Sequence, residues 1–278
     1  MLLNTFRHVR GIGPTRERAL WASGCRTWED LVEGTGPAGL PESLQESTRE
    51  QIKTDLNAFR RGDIRYLSGR LAPKEHWRFY RHFRDNIAFL DIETTGMDAE
   101  SSIVTVIGVH TPKDGTRVFI DGYNLDDFPG FIRGYDILVT FNGMTFDVPF
   151  LRGAFYDLDL PPAHIDLRWL ARSVGLSGGL KEVERKIGIA RPEAVSEISG
   201  FDAVILWKQY KRNHDEHALR RLVRYNLEDT VNLERLVIEC CNRMYSAHQY
   251  LGIEPLIYDA GIWSSYVDVD QIMRQTQK

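Results

Sequence analysis

At 278 residues, with 42% hydrophobic and 27% charged residues, the chain has the make-up of a soluble globular protein with room for one larger domain and a small appendage. Its three cysteines (Cys25, Cys240, Cys241) argue against a disulfide framework and a thiolate zinc site. No apolar stretch reaches membrane-spanning length and Met1–Arg7 lacks a signal peptide's apolar block, so no membrane partner and a cytoplasmic location are expected. The net charge of −4 hides an asymmetry: residues 1–85 hold 15 Lys/Arg against 11 Asp/Glu, a net +4, and the remainder is acidic.

Residues 1–34 read as short helices around a glycine hairpin. The stretch from Val9 to Leu20 resembles a helix–hairpin–helix motif, whose glycine turn, here Gly11-Ile12-Gly13, implies backbone N–H groups seating a phosphate. Arg10, Arg16 and Arg18 would add charge without base specificity. Glu17 stands where that motif usually has a small residue, and a packing module that never touches nucleic acid is the competing reading. Gly34 to Gly39 breaks the pattern. A helix is expected from about Glu42 to Arg61, with Leu44, Ile52, Leu56 and Phe59 on one side. A basic connector with interleaved aromatics then leads to residue 84.

From Ile87 the texture is α/β. Strands are expected at Ile87–Asp91, Ile103–His110, Thr116–Asp121, Ile137–Phe141 and His164–Asp166, with a helix around Val148–Phe155 after the fourth. The rest reads as helices near Leu180–Ile187, Phe201–Arg212, His217–Arg224 and Asn226–Tyr250. Three meandering strands followed by strands alternating with helices is the order of a ribonuclease-H-like mixed sheet flanked by helices. The expected division is a small all-α module at 1–62, the connector at 63–84, the α/β domain at 85–250 and an extension at 251–278.

Asp91-Ile92-Glu93 ends the first apolar run. Side chains two apart on a strand share a face, so the two carboxylates converge at a strand end, where open α/β sheets place their sites. Asn142 to Asp147 ends another strand, with Asp147 at a helix start, where an aspartate alone reads as a cap. Tyr225 and Asp229, four apart, share one helix face. Asp166 also follows a strand and reads better as a cap than as a fifth acid.

Together these segments resemble the DEDD superfamily of 3′–5′ exonucleases in its tyrosine form, closest to YprB-like nucleases and the proofreading domain of family B polymerases. The motifs D-x-E, N-x-x-x-F-D and Y-x-x-x-D match as Asp91/Glu93, Asn142/Phe146/Asp147 and Tyr225/Asp229, in order, across residues 85–250. The resemblance implies two Mg²⁺ or Mn²⁺ ions held by Asp91, Glu93, Asp147 and Asp229, with Tyr225 orienting the attacking water. Asn142 and Phe146 would line the substrate cleft, and Thr94, Thr95 and Gly96 would let backbone approach the terminal nucleotide. The expected activity is hydrolysis of DNA or RNA, with a single-stranded 3′ end, to nucleoside 5′-monophosphates. A structure-specific endonuclease and a catalytically silent nucleic-acid-binding scaffold are the alternatives.

Other candidates carry less. His214 and His217 lack a third ligand at zinc-site spacing. Lys208, Lys211, Arg212, Arg220, Arg221 and Arg224 form either a solvated face or one wall of a nucleic-acid channel.

Overall fold

The structure, a computed structural model, describes residues 1–34, 40–258 and 268–276. Pro14, pre-set for a first helical position, opens α1 (Pro14–Ala22), and a capping box between Thr27 and Asp30 opens α2 (Trp28–Glu33). Of the expected glycine break, Thr35 to Gly39 lies outside the described residues. α3 (Glu42–Arg60) follows and buries Ile52 and Leu56.

The expected basic connector is mostly helical: α4 (Ile64–Arg70), a 3-10 segment over Pro73–Phe79 and α5 (Tyr80–Phe83). It buries Trp77, Phe79 and Tyr80 almost completely, so its aromatics rather than its charges decide where it lies. One apolar cluster runs from Met1, Phe6 and Trp21 through these aromatics to Phe89 and Val139 in the sheet.

The sheet contains β1 (Ile87–Thr94), β2 (Val104–Thr111), β3 (Gly115–Ile120), β4 (Ile137–Thr140) and β5 (Ala163–Asp166), in the order β3-β2-β1-β4-β5. β1, β2 and β3 form an antiparallel meander, while β4 and β5 run parallel to β1. α6 (Phe128–Ile132) precedes β4 and α7 (Asp147–Ala154) follows it. The chain then continues through α8 (Leu167–Ser173), α9 (Leu180–Lys186), α10 (Glu193–Ser196), α11 (Gly200–Asn213), α12 (Glu216–Ser246) and α13 (Val269–Thr276). A mixed sheet flanked by helices, as expected, is the result.

Alternation along β1 assigns its two faces. Ala88, Leu90 and Ile92 join the cluster containing Phe128 and Phe150 of α6 and α7. Ile87 and Phe89 join the opposite cluster, with Leu233 and Val237 of α12, and Asp91 and Glu93 continue that side by period two.

The two helices expected at His217–Arg224 and Asn226–Tyr250 are one. α12 is 31 residues long, capped by the Asp215 carboxylate, which accepts from His217 N and Ala218 N at 3.0 and 3.1 Å. No Gly or Pro interrupts it, so nothing breaks the ladder at Tyr225. Its length, about 46 Å at 1.5 Å per residue, lets one rigid element carry Tyr225, Asn226 and Asp229 across the sheet.

Candidate metal-binding nuclease site

Asp91 faces Gly108 across the β1–β2 ladder. A side chain at Gly108 would collide with Asn226 Oδ1 and Thr230 Oγ1, so this glycine is what lets α12 lie close on the sheet. The approach delivers Asn226, which is fully buried: its Nδ2 donates to the Asp91 carbonyl at 3.1 Å and to Asp91 Oδ2 at 2.9 Å. A register shift between Glu93 and Thr94 bulges β1 just beyond the acids, a common device beside a site.

One turn along α12 from Tyr225, the buried Asp229 carboxylate approaches Asp91 and Glu93. Each of the three offers one oxygen, and these oxygens lie within 4.8 Å of one another; no other such acid, His or Cys group occurs among the described residues. The Tyr225 phenol lies against the Asp229 carboxylate. Burial first, then the charges of Asp229, Glu93 and Asp91, pushes the phenol far above its ordinary range, so it stays protonated and donates.

Asp147, at the start of α7, is buried beside them, reaching the site from the far end of β4. Its approach depends on the turn after β4. Asn142 is left-handed there (φ 69°), and Gly143 leaves room for Thr140. Asp166 locks that turn: it accepts from Asn142 N at 2.9 Å, Met144 N at 3.1 Å and, as the cap of α8, Arg168 N at 3.0 Å. It is a cap, as expected, and a clasp besides.

Repulsion and burial dominate the electrostatics. Desolvation, then Asp229 and Glu93, raises the Asp91 carboxyl well above the usual range. Desolvation, then Asp229 and Asp147, does the same for Glu93. Asp147 is pushed up to about 7, mainly by burial, against hydrogen bonds from its own and the Ile92 backbone N–H. Asp229 is raised by burial and held down by Arg191, the one cation inside the cluster among the described residues. Arg191 is itself buried, forked onto Glu184 at 2.5 and 2.8 Å, and paired with Asp229 through its remaining nitrogen.

Four crowded carboxylates with one neighbouring cation, which pairs with Asp229 and is shared with Glu184, form a cation-deficient pocket of hard oxygen donors, and that fits a divalent ion such as Mg²⁺ or Mn²⁺. The acids open into a cavity of about 1210 Å³ that is also lined by Thr94, Thr95, Gly96, Asn142, Phe146 and Tyr225, so all the residues expected at the substrate cleft come together. Phe146 packs tilted against Phe150 with ring centroids 4.8 Å apart, and Asn142 Oδ1 accepts from Arg168 at 2.7 Å.

Sequence reasoning missed Asn226, Arg191, Arg168 and Arg172. The last two also line the cavity, from α8. A glycine in the middle of β2 was a readable sign of close helix approach. Arg191 had no such sign, because it stands in an irregular segment between α9 and α10. Of the basic residues singled out before, Lys208 lines the cavity, whereas Lys211 pairs with Asp121 at 3.2 Å and Arg220 with Asp270 at 3.1 Å.

The N-terminal candidates Arg10, Gly11, Gly13 and Arg16 are exposed together at the start of α1. Gly11 is left-handed (φ 85°), and Arg16 donates back to its carbonyl at 2.5 Å. Pro14 supplies no N–H there. Glu17 is buried and accepts from Thr5 Oγ1 at 2.7 Å and Phe6 N at 2.9 Å, so its place in the motif is structural. No helix among the described residues is long and apolar enough to cross a membrane.

A model of the RNase H superfamily matches residues 88–241. No curated protein matches the chain. Among solved structures, the family B DNA polymerase of Pyrobaculum calidifontis is 18% identical over 59% of this chain and 25% of its own, with a TM-score of 0.44, so the chain spans a quarter of that protein's length. NrnC of Brucella melitensis is 14% identical over 62% and 82% of the two chains, with a TM-score of 0.44. The Nibbler EXO domain of Aedes aegypti is 12% identical over 73% and 92%, with a TM-score of 0.36.

Proposed function

Because the chain belongs to the RNase H superfamily, we propose that it is a metal-dependent 3′–5′ exonuclease of the DEDD type, hydrolysing DNA or RNA to nucleoside 5′-monophosphates. The observation that carries this reading is the convergence of Asp91, Glu93 and Asp229 within 4.8 Å, beside buried Asp147, in a large cleft.

Asp91, Glu93 and Asp229 would hold one divalent cation, and Asp91 with Asp147 a second. When bound, the ions supply Lewis-acid activation of water and neutralise charge building on the phosphate. Tyr225, held protonated, keeps its hydroxyl on Asp229 and orients the attacking water rather than taking its proton. Arg168, Arg172 and Lys208 supply cations along the cleft for the phosphates of the incoming strand. Phe146 presents a ring edge-braced by Phe150 for the terminal base, and Asn142 is steadied by Arg168. Thr94, Thr95 and Gly96 border the cleft at the end of β1, where the missing side chain of Gly96 leaves room for Ser102 Oγ.

The test is a denaturing gel of 5′-labelled single-stranded DNA and RNA with Mn²⁺, run beside Asp91→Asn. A ladder shortening stepwise from the 3′ end, absent in the variant, is expected, and it also chooses the sugar. Discrete internal cuts would replace the exonuclease by an endonuclease. Binding without any cleavage by folded, metal-loaded protein would replace it by a scaffold.

A further inference from the structure

Helix α8 separates two cavities. Arg168 and Arg172 line the acid cleft, while Trp169, Leu170 and Ser173 line a second cavity of about 540 Å³, a size suited to a small ligand. The ridge between them is built from the Asn142 turn and the start of α8, joined by the 2.7 Å bond from Arg168 to Asn142. Met144 of the same turn faces the second cavity.

The walls of this cavity combine two chemistries. Its inner surface is apolar and aromatic, with Trp21 and Trp77 buried there. At its border Trp169 is 51% exposed and Met144 38%, so the mouth of the cavity presents an accessible indole. Its three acids are already engaged. Glu17 holds Thr5 and Phe6, Glu75 pairs with Arg7 at 2.6 Å and Arg78 at 2.8 Å, and Asp166 holds backbone N–H groups. Arg18 of α1 and Lys74 are exposed and make no ion pair among the described residues. The uncommitted charge at the mouth is therefore positive, beside an exposed indole.

A flat apolar surface next to free cations matches one ligand class better than others: a nucleotide unit, with a base to stack and a phosphate to neutralise. We propose that this cavity is a second subsite for single-stranded nucleic acid, taking an unpaired nucleotide of the strand whose end lies in the acid cleft. The base stacks on Trp169 and the phosphate sits at Arg18 and Lys74, after the strand has crossed the Asn142–Arg168 ridge. The inference rests on the nuclease reading, and it gives α1 a part in substrate binding that does not depend on the glycine turn.

The test uses the full chain and fluorescein-labelled oligothymidylates of 2 to 12 nucleotides, with Ca²⁺ in place of Mn²⁺ so that binding is read without cleavage. In the wild type, affinity should climb with length once the strand can reach the second cavity. Trp169→Ala should remove roughly tenfold of that gain, the loss of one stacked base, while the dinucleotide binds as before. Arg18→Gln with Lys74→Gln should flatten the log–log salt dependence for the 12-mer by roughly 0.7, one phosphate's worth. Both sets replace exposed side chains, and circular dichroism checks their folding. A wild-type protein that degrades oligonucleotides, with variants that bind the 12-mer unchanged, overturns the subsite alone. A wild-type protein that neither binds nor cleaves any oligonucleotide overturns the subsite and the nuclease reading together.

Discussion

The acid cleft and the glycine turn of α1 were both singled out as phosphate-handling sites, yet the fold treats them in opposite ways. In the cleft, Asp91, Glu93, Asp147 and Asp229 are forced together with only Arg191 among them, and burial holds the acids' proton affinities high. At the turn, the polar groups find partners within the module: Arg16 bonds the Gly11 carbonyl and Glu17 brackets Thr5 and Phe6. Unpaid electrostatic strain marks a place built for a ligand, whereas satisfied bonds mark a place built to hold its own shape.

The largest effect should come from disturbing the cleft. Asp147→Asn removes one of the four charges and is expected to lower the cleavage rate by at least about 10³-fold, since ion-assisted charge stabilisation is worth several kcal/mol. The metal-free variant should melt no earlier than wild type at pH 8, because it loses a buried charge. Near-normal single-turnover rates would show that the strain serves packing instead. Tyr225→Phe, which keeps the ring and loses the hydroxyl, should slow the chemical step about 10²-fold with little change in oligonucleotide affinity. An unchanged single-turnover rate would remove the phenol from the mechanism.

The supporting shell should matter next. Asn226→Ala and Arg191→Gln leave all four acids in place but free Asp91 and Asp229 to turn. Each is expected to weaken Mn²⁺ binding about tenfold by calorimetry, as losses of ligand-orienting bonds do. If Arg191→Gln instead tightens Mn²⁺, the guanidinium competes with the ion rather than aiming its ligand.

This shell also shows where reading the chain stopped. The convergence of Asp91 and Glu93 follows from a period of two, and Tyr225 with Asp229 from a period near four, so both pairs were legible. Their meeting depended on α12 being unbroken across Asn226 and on Gly108 admitting it. A polar residue in a helix gives no sign of its distant partner: Asn226 reaches Asp91, 135 positions away. Arg191 lies in irregular chain, without periodicity to aim it. Burial of the basic connector is not legible from its charge: Arg78 is buried against Glu75, and Trp77, Phe79 and Tyr80 draw the segment inward.

A smaller effect probes the turn itself. Arg10→Gln takes away an exposed cation without touching the Arg16–Gly11 bond. If the turn seats a phosphate of a duplex, the log–log salt slope should flatten by about 0.9. No change would leave the turn as scaffolding. Deleting residues 1–34 is a poor test, because it strips Met1, Leu2, Phe6, Trp21 and Trp28 from the core.

How firmly the N-terminal region is joined to the sheet can be read through pH at one bond. His76 Nε2 lies 3.2 and 3.3 Å from the carbonyls of Ser68 and Leu71, and its Nδ1 accepts from the His164 backbone N–H of β5 at 3.1 Å. The ring must therefore carry its proton on Nε2, and a second proton on Nδ1 would break the link to the sheet. Burial, the largest cause, lowers the folded-state pKa of His76 below its ordinary 6.5, against the pull of its backbone bonds. A histidine lowered on folding contributes its full stability above pH 6.5, and the contribution is lost as pH falls from there through the folded value. The raised acids of the cleft have the opposite sign, but they are common to wild type and variant and drop out of the difference. His76→Gln, which can still donate and accept, should thus lose about 1 kcal/mol less than wild type between pH 7 and pH 5 in urea melts. Equal losses would mean that the ring takes up its proton without disturbing β5.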